Sequence, residues 1–344
     1  MFFLSIDLLI ESVELIGTNT AREFLSITDN PLISLFAGLL ITAIVQSSST
    51  TTSMIVAIVA SGTLTFENAI PMIMGANIGT TLTSNLVSLS FIGKKVLYHR
   101  AFTAGIMHDL FNVILVVILF PLEYYFNILS SMAYAILDIF NNNFSSPELA
   151  WNIDSNFIGY VSSFLIGLIS NPVITLILSV ILLFISIKVL SNFISKRLIT
   201  AREDKISHLI FDSPWKSFGV GALFTAGIQS SSITTSIIVP VAATGTIPLR
   251  SVFPYIVGAN IGTTITALIA SFFISTDAIT IAFIHVIFNL LGVIIFMLIP
   301  VIKNMTIYLA IRFGSLTTDY RLLGLAYIVM MFFILPFALI YLSK

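Results

Sequence analysis

The chain reads as an all-α polytopic membrane protein. It has two inverted-topology repeats, each with a re-entrant helical hairpin and a broken transmembrane helix. Three observations carry this reading. The first is composition: of 344 residues, 57% are hydrophobic and 9% charged, with mean hydropathy +1.06. Soluble domains carry about 25% charged residues, so the deficit points to helices held in a bilayer. The second is duplication. QSSST at Gln46 returns as QSSSI at Gln229, and GANIGTT at Gly75 returns at Gly258, both 183 residues on. HDLFN (108–112) returns as HVIFN (285–289) at a spacing of 177, so the second copy is six residues shorter in the intervening loop. The third is charge: equivalent loops of the two copies carry opposite signs.

The elements follow in order. Residues 1–30 are an N-terminal helix and an outside loop. Asp7, Glu11 and Glu14 share one helix face and read as a polar stripe. They also argue against a cleavable apolar leader. Residues 31–123 are the first repeat. It opens with Leu32–Val45, 14 residues, and Thr51–Gly62, 12 residues, on either side of the QSSST. A 14-residue helix rises about 21 Å against a hydrocarbon core of about 30 Å, so neither arm spans. Either one long helix has a polar middle or a hairpin turns back at the serines. Pro240, in the second arm of copy two, favours the hairpin. Segment 66–92 can span, but glycines, Asn77 and threonines at its centre predict a break lining a cavity. A full helix follows over about 101–122.

Residues 124–170 read as an outside loop with a short amphipathic helix, then a linker. Residues 171–213 are a linking span and a basic inside loop, and 214–303 are the second repeat. Residues 304–344 are an amphipathic segment and a last span. Orientation comes from cations, which favour the inside. Lys94, Lys95 and Arg100 in one loop face Asp277 in its counterpart. Glu67 is matched by Arg250, and lone Arg22 by Lys196, Arg197, Arg202, Lys205 and Lys216. A hairpin that enters and leaves on one side satisfies all three comparisons, with the N-terminus inside. Inverted repeats with broken helices in matching positions point to a secondary transporter with its site at the repeat interface.

Some classes are excluded. Net charge is −1, so no basic surface for nucleic acid is implied, and the absence of cysteine rules out disulfides and thiolate metal sites. An intramembrane serine hydrolase lacks the Gly-x-Ser-x-Gly elbow, and a symmetric triplet of serines suits a twofold ligand site better than one nucleophile. The chain is therefore not read as an enzyme. A passive channel fits dead-ended hairpins poorly.

The motifs have a common chemistry. At a hairpin tip the first N–H groups of the second arm are unpaired and favour an anion. Gln46, Ser47, Ser48 and Ser49, with Gln229, Ser230, Ser231 and Ser232, would form a small-oxyanion cradle without Lys or Arg. Cations must then accompany a multiply charged anion. Hard cations such as sodium take hydroxyl, amide and backbone oxygens. The candidates are Ser49, Thr50, Asn77, Thr80, Thr81 and Thr83, with Ser232, Asn260, Thr263, Thr264 and Thr266. Gly75, Gly79, Gly258 and Gly262 would let the backbone open. His108, Asn112, His285 and Asn289, spaced one helical turn apart, read chiefly as supporting hydrogen-bond groups, and Asp109 has Val286 as its counterpart. One QSSS alone would read as an interhelical contact. Its duplication together with GANIGTT makes it a site.

These motifs resemble the type II sodium-dependent phosphate cotransporters over about residues 30–123 and 210–302. The resemblance implies sodium-coupled phosphate import at the plasma membrane by alternating access. The six serines would contact phosphate, and Gln46, Gln229, Asn77, Asn260 and nearby threonines would shape the sodium sites. The implied partners are phosphate, co-transported Na+ and the lipid bilayer, with a homodimer as the assembly to test and no other cofactor. Sulfate or arsenate, with sodium or proton coupling, is the alternative. Two departures stand out. No soluble helical domain follows the second repeat, so regulation by such a domain is not expected within this sequence. Lys94, 17 residues after Asn77, stands where electrogenic members have Asp in Gly-Asp-Arg. Two sodium ions per divalent phosphate, with no net charge moved, is the stoichiometry expected from that change.

Overall fold

A computed structural model describes residues 2–16, 30–143, 155–198, 211–271 and 276–342. Arg22, Arg202 and Lys205, used for orientation, lie outside the described residues, as do the side chains of Glu14, Lys196, Arg197 and Asp277. The described chain is helical throughout. The N-terminal helix is α1 (Phe2–Ile16), where Asp7 accepts from Ser162 Oγ (2.5 Å) and Glu11 from Ser163 Oγ (3.0 Å). The acidic stripe therefore faces α8 (Ser155–Ile169), within the bundle.

The first repeat opens with α2 (Pro31–Val45), α3 (Ser48–Ala60) and α4 (Phe66–Gly79). Asn30 caps α2 by accepting from Leu32 N (2.9 Å), and Pro31 occupies the first helical position, where no N–H is needed. Glycines then set how α2 meets α4. A Cβ on Gly75 would overlap the Leu35 carbonyl and press on Leu39 N. One on Gly79 would meet Leu39, Thr42 and Ala43. The contacts advance in the same direction on both helices, so α2 and α4 run parallel and start at one end. The chain must therefore return along α3. The second repeat repeats this with α10 (Pro214–Ile228), α11 (Ser231–Thr244) and α12 (Leu249–Ser271). Gly258 faces Phe218 and Ala222, and Gly262 faces Ala222, Thr225 and Ala226. Ser251 Oγ donates to Phe211 O (3.1 Å), so entry and exit of this hairpin are adjacent. Pro240 lies inside α11 without ending it.

The copies differ at the GANIGTT motif. In the first, the helix stops at Gly79 and restarts as α5 (Leu82–Leu89). In the second, α12 runs through the motif unbroken, so the break expected there is absent. The threonine hydroxyls do not explain this, because both copies back-bond alike: Thr80 to Ala76 O, Thr81 to Ile78 O, Thr263 to Ala259 O and Thr264 to Ile261 O. The difference lies just downstream. Ser84 and Asn85 tie α5 to His108 (3.3 Å) and Asp109 (2.5 Å). Their counterparts are Ala267 and Leu268, which can make no such tie.

The remaining helices are α6 (Lys95–Phe126), α7 (Ile128–Asn143), α9 (Pro172–Leu198), α13 (Thr276–Leu298), α14 (Pro300–Asp319) and α15 (Arg321–Leu342). The last contains one π turn, Met330–Ile334. Four described stretches are long and apolar enough to cross a membrane: Lys95–Phe126, Leu249–Ile269, Ile279–Leu298 and Arg321–Leu342. The amphipathic helix expected after residue 124 is α7, whose start is capped by the buried Glu123 carboxylate, which accepts from Leu129 N (2.6 Å) and from Ser130. The two repeats are joined by a shared apolar core. Phe111, Phe253 and Phe296, from α6, α12 and α13, lie 4.9–6.3 Å apart by ring centroid. Gly292 leaves room for Phe111 and Leu115 against α13.

Candidate functional site

The site is built from the two hairpin turns. α2 ends at Gln46 in the left-handed region (φ 55°, ψ 29°), and Gln46 N donates to Thr42 O (2.7 Å). Gln229 does the same (φ 58°, ψ 28°), bonding Thr225 O at 2.6 Å. Such a φ is uncommon for a residue with a Cβ, and its recurrence makes both tips the same sharp turn. Ser47 and Ser230 follow in extended conformation as N-caps of α3 and α11. Their hydroxyls accept from Thr50 N (3.2 Å) and Ile233 N (3.3 Å). Ser47 Oγ also pairs with Thr50 Oγ1 (2.8 Å).

The tips touch. Ser49 Oγ donates to Gln229 O and Ser232 Oγ to Gln46 O, each at 3.2 Å. These are one bond written twice under exchange of the repeats. Ser48 and Ser231 are the middle serines, 4% and 3% exposed, and among the described residues no side-chain hydrogen bond is found for either hydroxyl. The three serines of each triplet thus divide into a cap, an unspent hydroxyl and a bridge. Among the described residues, no Lys or Arg side chain hydrogen-bonds to either tip. Arg100 instead holds the far end of α11, donating to Ala242 O and Ile247 O, both 2.8 Å.

The GANIGTT residues surround this seam differently from one another. Asn77 Nδ2 donates to Ile73 O (2.9 Å), and its Oδ1 accepts from His285 Nε2 in the other repeat (3.3 Å). Asn260 Nδ2 donates to Ile256 O (2.9 Å), and His108 lies beside Asn260. Each asparagine therefore meets the histidine of the opposite copy. Thr80, Thr81, Thr263 and Thr264 donate back to their own helices but keep lone pairs. Thr83 and Thr266 hydroxyls are buried with no partner, and so are Asn112 Oδ1 and Asn289 Oδ1, whose amide nitrogens bond the His108 and His285 carbonyls. Thr42 and Thr225 form a further unpartnered pair, packed against Gly79 and Gly262. Sequence reasoning missed these two. The signal was present, since TAIVQSSS and TAGIQSSS share the threonine four residues before the glutamine.

A family model described as "Na+/Pi-cotransporter" matches residues 1–135 and 182–342. The chain belongs to this family. Curated relatives include sodium-dependent phosphate transport protein 2B of Homo sapiens (28% identical, 99% of this chain, 64% of the relative). Protein 2A of Mus musculus is 27% identical over 98% of this chain and 65% of its own length, and protein 2B of Bos taurus is 29% identical over 99% and 63%. The chain thus spans a little under two thirds of these relatives. No solved structure matches.

Proposed function

We propose that this protein is a sodium-coupled secondary transporter that imports inorganic phosphate, not an enzyme. The observation that carries the reading is the seam: two helix N-termini brought tip to tip by the Ser49–Gln229 and Ser232–Gln46 bonds, with the largely buried Ser48 and Ser231 between cap and bridge and their hydroxyls not hydrogen-bonded among the described residues. Four features suit a tetrahedral oxyanion there: free N–H groups, hydroxyl donors, partial positive charge and a twofold arrangement. Gln46 and Gln229 add carboxamides at the rim. Relatives named as sodium-dependent phosphate transport proteins supply the identity of the anion and the ion.

Sodium would neutralise the anion in place of Lys or Arg. Thr83 and Thr266, with unspent oxygens, are the first choice of ligand. Asn77 Oδ1 accepts from His285 and keeps a second lone pair for sodium, which would place the ion at the contact between repeats. Re-entrant hairpins entering from opposite faces of the plasma membrane, N-terminus inside, would expose the seam alternately. With Lys94 in place of the acidic residue, two sodium ions accompany each divalent phosphate.

The test is labelled phosphate uptake into proteoliposomes under an imposed sodium gradient. Ser48→Ala and Ser231→Ala each remove a hydrogen bond to a charged ligand, worth about 1.5–3 kcal/mol, so uptake at low phosphate falls by about tenfold or more. Unchanged uptake in both variants removes the site. Sulfate should not compete. No net current should accompany sodium and phosphate under voltage clamp, and a robust inward current refutes the two-ion stoichiometry.

A further inference from the structure

A second polar cluster lies away from the QSSS tips, in the first repeat only. Asp109 on α6 is fully buried. Its Oδ2 accepts from Asn85 Nδ2 of α5 at 2.5 Å. The other oxygen of each group, Asp109 Oδ1 and Asn85 Oδ1, is buried with no partner. The hydroxyls of Thr81 and Tyr327 stand beside the carboxyl. Tyr327 reaches it from α15, so the C-terminal helix closes the cluster.

What the cluster lacks is positive charge. The ion pair found among the described residues joins the exposed Lys95 and Asp319, not Asp109. An ionised carboxylate without a counter-charge is strongly disfavoured inside a membrane bundle. A water molecule could donate to both free oxygens, but it would leave the charge uncompensated. Two acceptors on groups already joined by one hydrogen bond call for a cation between them. Of the titratable groups on neighbouring helices, Tyr327 faces the carboxyl. α5 carries none, and His108, next in the chain, directs Nδ1 to Ser84.

We propose that Asp109 and Asn85 hold a sodium ion between their free oxygens, with Thr81 and Tyr327 completing the site. The second repeat has Val286 and Leu268 at these positions, so the site exists once and breaks the twofold symmetry of the molecule. It goes beyond the tip-to-tip phosphate site and needs only that α5 and α6 lie within the bilayer-embedded bundle. The same tie that re-aims α5 in the first copy would then depend on the occupant.

The experiment is a thermal melt of the purified full chain in detergent without phosphate. Sodium chloride is exchanged against choline chloride at acidic, neutral and alkaline pH. With sodium as occupant, the wild type melts higher as sodium rises. A wild type that melts higher as pH falls in choline but does not respond to sodium overturns the proposal. Asp109→Asn, neutral and nearly isosteric, loses the part of the sodium response that this site supplies, so its melting temperature rises less with sodium than that of the wild type. Asn85→Ala weakens the same response and serves as the comparison where Asp109→Asn does not fold. Responses to sodium and pH identical to wild type in a folded variant overturn the proposal. Because no phosphate is present, that result is independent of the uptake assay.

Discussion

Within each QSSS, neighbouring serines do unlike work. Ser47 and Ser230 spend their hydroxyls on their own helix starts. Ser49 and Ser232 spend theirs on the opposite tip, and only the middle pair stays free. Loss of an N-cap hydroxyl costs about 1 kcal/mol of stability. We therefore expect Ser47→Ala and Ser230→Ala to lower the melting temperature by a few degrees. Ser48→Ala and Ser231→Ala should leave it near wild type and lose uptake instead. Scanning calorimetry alongside uptake checks this, and equal melting losses in all four variants would refute the division. The serines were legible in the sequence because they were duplicated inside an apolar run. Their separate roles were not, since one hydroxyl looks like another until the turn at Gln46 fixes which points where. Thr42 and Thr225 were hidden for a related reason. Their lack of a partner arises from packing against Gly79 and Gly262, a contact between helices rather than along one.

At the scale of elements, parallel packing of α2 on α4 and of α10 on α12 rests on glycine contacts. Gly75→Ala would drive a methyl group into the Leu35 carbonyl, and Gly258→Ala into the Phe218 carbonyl. Backbone cannot yield as a flexible side chain can, so each should cost at least the 1–3 kcal/mol typical of overpacking, roughly. Thermal melts of both variants test this. Gly93→Ala, where a Cβ meets nothing, is the control and should melt as wild type. Helix lengths and the two hairpins were readable from apolar runs too short to span. The difference between the two GANIGTT helices was not, because the motif itself is identical. Side chains outside it, Ser84 and Asn85 with His108 and Asp109, decide whether the helix stops.

For the whole molecule, inverted topology is the decisive expectation. Loop charges put Glu67 outside and Arg250 inside. Two contacts join segments that this assignment places on the same side. Arg100, in the second turn of α6 after Lys94 and Lys95, bonds Ala242 and Ile247 at the second hairpin's exit. Phe66, beside Glu67, packs on Tyr134 of α7 at 5.3 Å, within the segment read as outside. The chain has no cysteine, so single introduced thiols report cleanly. Glu67→Cys should react with an impermeant maleimide added to whole cells, and Arg250→Cys only after permeabilisation. Labelling of both from one side would reject the inverted arrangement.

The pair of bonds across the seam has one more consequence. Because Ser49–Gln229 and Ser232–Gln46 are interchanged by the molecular pseudo-twofold, breaking either demands the same work. In the alternating-access cycle proposed above, this pair of bonds by itself favours neither the inward-open nor the outward-open form. A resting preference would come from features present once, among them the Ser47–Thr50 hydroxyl pair, where the second tip has Ile233, the Arg100 clasp on α11 and the Asp109–Asn85 pair between α5 and α6.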